Sequence, residues 1–390
     1  MQKKIKKNNM KVFQVFTSYP NPYQPYNERL IEGLKKHSIL KTVVVSFGEK
    51  HNKKQKEVIY PYTQTFFIKI MLMLKEMILI IKKEGIKRSI IKKIKTHVRY
   101  SFILKNKNDI FHFHNLYSIN KELLNILVEN KIKYIVSLRG YDVTIKPLLN
   151  DKFAKQLSEI LHNSWKIHSV CESLKQEAIN LTNIEEAKIC VIYRTPNLKN
   201  LTIVKEIDKF DSSINIFTIS RIHWKKCISE SLISLKLLLD KGYKVNYHLI
   251  GGFQGYEDEK IIYLIKKLNL TKNVIIHGFL NESEYTKLLS EMHICWIPTI
   301  NEGLPNTLYY VLKSGFPTIA ANTDGIPEIL INEKNGLLFE PYNFEDLAQK
   351  TIKIIDDNLF RKQIYKNLKN TVLQNEENEI KEYVKLYTLI

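Results

Sequence analysis

The sequence predicts an α/β protein built as two doubly wound parallel-sheet domains facing each other across a cleft. Three observations predict it. Short apolar runs alternate with stretches of helical periodicity, the signature of βαβ units and a parallel sheet. That rhythm occurs twice, on either side of a polar, charged stretch at 203–213 that reads as a connection. The length, 390 residues, suits two or three domains at roughly 150 residues each.

Taken in order, the first strand is Val12–Phe16, followed by a Pro/Tyr-rich loop from Ser18 to Tyr26. A helix over 27–36 and a strand over 42–46 come next. Later strands fall at 110–113, 134–137, 167–170 and 189–192. In the second half, strands are expected at 214–220, 245–251, 274–278, 294–298, 317–321 and 337–339. Helices are expected near 228–240, 257–268, 282–290, 306–314 and 344–356. A last helical stretch, about 359–388, is expected to cross back to the first domain. The boundaries drawn from this pattern are 1–205, 206–370 and 371–390. In open α/β sheets ligands sit beyond the carboxyl ends of the strands, so functional residues are sought there.

Composition removes several classes. The chain is 44% hydrophobic and 26% charged, which is globular rather than disordered. Cys171, Cys190, Cys227 and Cys295 are scattered, so neither a disulfide framework nor a zinc ribbon is indicated, and a reducing, cytoplasmic setting is expected. The apolar stretch 68–81 is broken by Lys69, Lys75 and Glu76, short of the roughly 18 apolar residues of a spanning helix. The net charge of +20 is unevenly divided: residues 1–210 hold 39 Lys/Arg and 18 Asp/Glu, the remainder 21 and 22. An excess confined to one half suggests a domain that faces an anionic surface. Within it, residues 64–107 contain 12 Lys/Arg against two Glu. There Ile86, Ile90, Ile94, Val98 and Phe102 recur every fourth residue, with Lys87, Arg88, Lys92, Lys93, Lys95 and Arg99 largely between them. Two readings fit: an interfacial helix on anionic lipid, or a core-packed helix with a solvated Lys face.

The residues with chemistry cluster after predicted strands. In Asn301-Glu-Gly-Leu-Pro-Asn-Thr307 an acid and a glycine precede a helix that starts near Pro305. Helix N-terminal amides suit a phosphate, and Gly303 permits close approach. Glu302 could accept hydrogen bonds from sugar hydroxyls or simply cap the helix. In Ser220-Arg-Ile-His-Trp-Lys-Lys-Cys227, Arg221 and Lys226 could both reach a diphosphate. His112 and His114 alternate on one strand and share a face, turned either to the cleft or to the core. No further ligands at metal spacing accompany them.

The order Arg221 with Lys226, Gly251-Gly252, Asn273-Val-Ile-Ile-His-Gly-Phe279, Glu302-Gly-Leu-Pro305, Ser314-Gly-Phe-Pro317, Gly325-Ile-Pro-Glu328 and Asn335-Gly-Leu-Leu338 resembles the donor-binding half of the family-4 retaining glycosyltransferases (glycosyl transferases group 1), which have the two-domain GT-B fold. The resemblance runs over about 214–355. In the first half Asp109-Ile-Phe-His-Phe-His-Asn115, Ser137-Leu-Arg-Gly-Tyr-Asp142 and Ser169-Val-Cys-Glu-Ser-Leu174 resemble family segments more loosely.

The resemblance implies sugar transfer from a nucleoside diphosphate donor to an acceptor with retention of configuration, and no metal or other cofactor. It implies Arg221 and Lys226 on the donor phosphates and Glu302 on the donor sugar. The Gly251-Gly252 turn and the backbone of Gly303, Leu304, Pro305, Asn306 and Thr307 would line the donor site, with Phe279 near the base. Three positions depart from the family. Tyr310 stands where a second acid holds the ribose, Arg139 stands where the strand-end histidine is expected, and the first loop is Tyr19-Pro-Asn-Pro-Tyr-Gln-Pro-Tyr26 instead of Gly-rich. Ribose recognition is therefore expected to be looser, with Tyr310 contributing to donor binding. On the acceptor side, Tyr23, Tyr26, His112, His114 and Arg139 are the candidates.

The expected protein is a glycosyltransferase of bacterial cell-surface glycan synthesis, peripheral on the inner face of the membrane, with a glycan or lipid-linked glycan acceptor. Two rivals remain at this stage. A nucleotide-sugar epimerase shares the architecture but would not need so basic a first domain. Nucleic-acid binding is suggested by charge alone, without a helix-turn-helix, finger or RNP signature, so no nucleic-acid partner is expected.

Overall fold

The structure, a computed structural model, describes residues 10–21, 26–48, 57–61, 71, 78, 90–195, 201–210, 213–253, 257–371 and 373–388. The chain divides into two compact units, residues 1–194 with 374–390, and residues 195–373.

Among the described residues the first unit carries a seven-stranded sheet in the order β3-β2-β1-β4-β5-β6-β7. Its strands are β1 Met10–Phe16, β2 Leu40–Ser46, β3 Val58–Ile59, β4 Ile110–Phe113, β5 Tyr134–Leu138, β6 Lys166–Ser169 and β7 Ile189–Val191. Every pairing is parallel. Central parallel strands are covered on both faces, so they read as continuous apolar runs rather than alternating ones. Val12, Phe13 and Val15 of β1 and Phe111 and Phe113 of β4 are all buried. Asn120 and Asn150 cap the helices Lys121–Glu129 and Asp151–Asn163 by accepting from Leu123 N and Phe153 N, which fixes where those helices start.

The second unit carries a six-stranded parallel sheet, β10-β9-β8-β11-β12-β13. Its strands are β8 Ile214–Ile219, β9 Val245–Ile250, β10 Val274–Gly278, β11 Ile294–Ile297, β12 Thr318–Ala321 and β13 Leu337–Phe339. Trp296 of β11 is wholly buried, and its indole N–H donates to Thr351 Oγ at 3.0 Å, so its polar atom is satisfied.

The sequence places the domain boundary at 205/206, somewhat beyond the observed division. The reason is Arg361, buried to 2% exposure. Its guanidinium donates to the carbonyls of Ile207 (3.0 Å) and Asp208 (2.6 Å), and to those of Ile354 (2.6 Å) and Ile355 (2.7 Å). The connecting stretch is thereby stitched to the second unit. The single helix expected over 359–388 is two. Asn358–Lys369 stays with the second unit and Glu376–Thr388 packs in the first. Asn375 starts the latter, its side chain accepting from Asn378 N at 2.8 Å, the geometry of a helix N-cap. Most of the basic stretch 64–107 lies outside the described residues, including Ile86, Lys87 and Arg88 and the side chains of Lys92 and Lys93. Ile90–Arg99 is helical, with Ile94 buried.

Glu376–Thr388 is held by polar groups inside the first unit's core. Gln14 interrupts the apolar run of β1 and is wholly buried, so its amide must find partners. A chain of hydrogen bonds supplies them, and its two ends fix its direction. At one end Arg139 Nη2, which can only donate, meets His114 Nδ1 at 2.9 Å. His114 Nε2 therefore carries the proton and donates to Gln14 Oε1 at 2.7 Å. Gln14 Nε2 donates to Tyr387 Oη at 3.0 Å. At the other end the Ile192 carbonyl can only accept, so His168 Nε2 donates to it at 3.2 Å. Ser137 then donates to His168 Nδ1 at 2.8 Å and accepts from His112 Nε2 at 2.8 Å. His112 Nδ1 accepts from Tyr387 O–H at 2.7 Å. The two halves agree at Tyr387, which accepts from one side and donates to the other. All three imidazoles are thus neutral, with the proton on Nε2.

Burial lowers the pKa of all three. His168 is held at about 3, with Arg139 and Arg194 adding to the effect, and His112 and His114 are held well below the ordinary value, with neighbouring histidines and Arg139 adding to it. The unfolded chain therefore binds more protons than the folded one below pH ~6.5. Their stabilising contribution is complete above that pH and is lost as pH falls toward 3. The melting temperature of the first unit should drop between pH 7 and pH 5; a flat profile would contradict the neutral assignment. In the second unit, Arg361→Met strands four carbonyls and should cost roughly 2–3 kcal/mol, read as a lowered urea midpoint of that unit's transition.

Candidate functional site

Four strands of the second unit, β8, β9, β10 and β11, end at one edge of the sheet, and the loops that follow them carry the residues singled out in the sequence. After β8 the chain makes one 3-10 turn, Trp224–Lys226, which places Lys225 and Lys226 together. The Lys225 carbonyl accepts from Ile300 N at 2.9 Å and from Thr299 Oγ at 3.0 Å. The loop after β8 is therefore tied to the loop after β11, which bears Glu302.

The result is a compact ionic group. Glu302 Oε2 lies 3.1 Å from Lys226 Nζ and 3.4 Å from Lys225 Nζ, with all three side chains largely shielded from water. Burial alone would raise the Glu302 carboxyl, but Lys226 and Lys225 hold it below its usual range. Burial depresses Lys226, Lys225 and Arg221 add to that, and the pull of Glu302 only partly offsets it. The group contains two ammonium charges for one carboxylate, and Arg221 stands exposed beside it. Lys225 was missed in the sequence because the motif weighed only Arg221 and Lys226; the signal was the adjacent lysine pair.

The main chain around Glu302 is equally fixed. Its N–H donates to Asp324 Oδ2 at 2.5 Å, Asn301 Nδ2 reaches the same oxygen at 3.3 Å, and Gly325 N donates to the Gly303 carbonyl at 3.1 Å. Leu304 points into the core. Helix Asn306–Ser314 begins behind Pro305 without a side-chain cap, so its first amides are not consumed by a capping side chain. Thr307 Oγ donates to the Ile219 carbonyl at 3.1 Å. A pocket opens here, lined by Thr218, Ser220, Lys226, Thr299, Pro305 and Thr307. The fixed positive end of a helix and an ammonium group thus face one concavity, an arrangement suited to a phosphate.

Gly251 and Gly252 follow β9. Gly251 has φ +133°, and a Cβ there would lie 2.0 Å from the Ser220 carbonyl oxygen, so only glycine lets the loops after β8 and β9 meet. Phe279 packs its ring edge against Gly252 and is otherwise 73% exposed, leaving a flat apolar face at the end of β10. Among the described residues no group of three His, Cys, Asp or Glu side chains is placed to hold a metal ion.

Several expectations need correction. Tyr310 does not turn toward this group. Its ring lies 5.8 Å from that of Tyr285, and its hydroxyl approaches Thr202 N at 3.5 Å. Helical phase sets it, partly buried, against the apolar cluster beneath the helix. His112 is wholly buried with both ring nitrogens engaged, so it is a structural anchor and no acceptor contact. His114 is 3% exposed and acts on Arg139. Tyr26 is 8% exposed and lies against Arg194, whose guanidinium carbon is 3.8 Å from the ring centre, with that of Arg139 at 5.6 Å. Arg139 and Tyr26 do come together at the carboxyl edge of the first sheet. Tyr23 lies outside the described residues.

The chain is similar to several known proteins. The capsular polysaccharide biosynthesis glycosyltransferase CapM of Staphylococcus aureus is 27% identical, the match covering 52% of this chain and 55% of that protein. The N,N'-diacetylbacillosaminyl-diphospho-undecaprenol alpha-1,3-N-acetylgalactosaminyltransferase of Campylobacter jejuni is 29% identical, covering 52% and 55%. An uncharacterised glycosyltransferase of Methanocaldococcus jannaschii is 24% identical, covering 58% and 61%. The chain thus spans between 55% and 61% of the length of these relatives. The fold is that of the crystal structure of Anabaena HepE in complex with UDP and glucose, with a TM-score of 0.72 at 13% identity over 98% of this chain and 100% of that one. The model of the family described as Glycosyl transferases group 1 matches residues 200–371. Residues 200–371, the part of the second unit that bears the lysine pair, Glu302 and the uncapped helix, thus match the glycosyl transferases group 1 family, and the chain has the two-unit GT-B fold.

Proposed function

We propose that the chain transfers a sugar from a nucleoside diphosphate donor to a glycan or lipid-linked glycan acceptor, with retention of anomeric configuration, in bacterial cell-surface polysaccharide synthesis. The observation that carries this is the buried Glu302–Lys225–Lys226 group beside the uncapped helix Asn306–Ser314. Departure of a nucleoside diphosphate leaves negative charge on its terminal phosphate. Lys226, Lys225, Arg221 and the amides of Asn306 and Thr307 oppose that charge. The two lysines are already held on Glu302 and the amides by their helix, so little reorganisation accompanies the step for them. Glu302 is kept ionised by the two lysines and accepts from donor-sugar hydroxyls, which orients the anomeric carbon. Phe279 offers its face to the base. With a phenol at Tyr310 in place of a second acid, the ribose relies more on main-chain and stacking contacts. In this reading the attacking hydroxyl approaches the same face the diphosphate leaves, no protein nucleophile takes part, and the protein's own cations supply the charge stabilisation.

The relatives include a capsular-polysaccharide glycosyltransferase and one named for a diphospho-undecaprenol substrate, which supports a surface-glycan acceptor. No helix among the described residues is long and apolar enough to cross a membrane. The positive excess of residues 1–210 supports peripheral docking of the first unit on an anionic inner leaflet.

Lys226→Ala should lower turnover by roughly 10²–10³-fold, and Glu302→Gln should lower kcat more than it raises the donor KM. Both are read by release of nucleoside diphosphate, with analysis of the product's anomeric configuration. Normal turnover in both folded variants, or an epimerised free nucleotide sugar as the product, would overturn the reading. For the membrane, sedimentation with anionic vesicles should weaken with salt, each surface cation contributing about 1 kcal/mol. Replacing Lys87, Lys92 and Lys95 by Glu should release the protein; equal binding to neutral vesicles would count against docking by charge.

A further inference from the structure

Arg139 departs from the family pattern, and its surroundings show what a guanidinium does there. It follows β5 at the carboxyl edge of the first sheet and is partly exposed. Two of its five N–H donors are spent on one residue. Nε donates to the His114 carbonyl at 3.2 Å and Nη2 to His114 Nδ1 at 2.9 Å. Both lie on the same side of the planar group. The opposite end, Nη1 with the second hydrogen of Nη2, forms a fork with no hydrogen-bond partner among the described residues, and no carboxylate there lies within 4 Å of it. The nearest acid in the chain, Asp142, is committed to the main chain, accepting from Arg139 N at 3.1 Å and Gly140 N at 2.8 Å.

An arginine that only braces a fold is ordinarily neutralised by a carboxylate or saturated by carbonyls, as Arg361 is. Arg139 is instead aimed. The directional chain through His114, Gln14 and Tyr387 makes His114 Nδ1 an obligate acceptor, which fixes the plane of the guanidinium. A fixed end-on fork matches two oxygens of an oxyanion. A second positive charge, Arg194, lies against the same Tyr26 ring.

We propose that Arg139 is the anion-reading residue of the first unit, and that the group it takes is a phosphoryl group carried by the acceptor. This rests on the glycosyltransferase reading for the word acceptor, but the binding site itself does not. Tyr387, Gln14 and His114 are positioning residues that act through Arg139. The acceptor class that follows is a phosphate-bearing one, either a lipid diphosphate or a water-soluble sugar phosphate.

The test is calorimetric titration of the full chain with inorganic pyrophosphate, in a Lys226→Ala background that weakens the competing anion site of the second unit. Arg139→Met should weaken binding by 10- to 100-fold, the scale of a charge-assisted pair. Arg139→Lys keeps the charge without the fork and should recover only part of the loss. Tyr387→Phe removes the donor to His112 and touches no ligand. It should weaken binding several-fold and, in turnover assays with Lys226 intact, raise the acceptor KM while leaving kcat near normal. Farnesyl diphosphate binding more tightly than pyrophosphate assigns the group to a lipid carrier; equal binding assigns it to a soluble acceptor. Unchanged pyrophosphate affinity in folded Arg139→Met and Arg139→Lys overturns the proposal, as does glucuronate binding more tightly than pyrophosphate through Arg139. Donor binding by the wild-type chain is measured separately, against a panel of nucleotide sugars. Absence of any binder there would defeat the glycosyltransferase reading while leaving the Arg139 result to stand or fall alone.

Discussion

A parallel sheet delivers the carboxyl ends of all its strands to one edge, and the arrangement of this protein depends on that constraint. Arg221, the lysine pair, Gly251, Phe279 and Glu302 come from four separate loops spread over some eighty positions. They are neighbours because β8, β9, β10 and β11 lie side by side in the same direction. In the first unit the same constraint brings the end of β4 beside the end of β5, so that His114 meets Arg139. The chemistry of each edge is then set by small choices within the loops: a 3-10 turn that aligns two lysines, a glycine with no Cβ, a helix left uncapped.

Electrostatics distinguishes the two edges. The second unit as a whole is near neutral, yet its edge concentrates two lysines on one carboxylate in a partly dry place, where charges interact more strongly than at an open surface. Glu302 keeps both ammonium groups close together despite their repulsion, and Asp324 fixes the main chain that carries it. The first unit is strongly basic overall, yet the charges that matter in it are few and geometrically specified. Three histidines near Arg139 are kept uncharged, so the guanidinium is the charged head of a neutral chain.

Much of this was legible in the sequence. The strands of both sheets are found close to where apolar runs alternate with helical stretches, because a parallel strand buried on both faces has an unambiguous composition. β3, only Val58–Ile59, was invisible since two residues carry no period. Arg221, Lys226, Glu302 and the glycines were legible because their spacing after strands is itself the signal. The packing of Tyr310 against Tyr285 was not legible, because spacing along a helix does not say which neighbour a side chain meets. His112 and His114 shared a face as alternation requires, but whether it held ligand or core depended on Tyr387, 275 residues from His112. Pairings of that range leave no local trace. The directional chain was illegible for the same reason, although a lone glutamine in the apolar run of β1 marked where a buried polar group needed partners.

The placement of helix Glu376–Thr388 bears on how such a chain acquires its fold. The first unit receives its last helix only after the whole second unit has intervened, so Gln14 must wait for a partner 373 residues away. Closing a loop of that length costs entropy that grows with its logarithm, by about 0.6 kcal/mol per doubling. The second unit offers a way around this. Its entry and exit are adjacent: Glu206 meets Lys369 at 2.6 Å and Asp208 meets Lys362 at 2.8 Å, around the Arg361 clasp. Once that unit has folded, it is a short, rigid detour instead of a long flexible loop. Joining Glu206 to Lys369, 163 residues apart, takes that stretch out of the 373-residue loop and nearly halves its effective length, worth about 0.5 kcal/mol on the same scale. The order of events that costs least is therefore from the inside outward: the interposed unit first, then closure of the unit that surrounds it in sequence. Until that closure the buried polar groups of β1 and β4 lack their tyrosine, and the first sheet remains an unfinished surface on the growing chain.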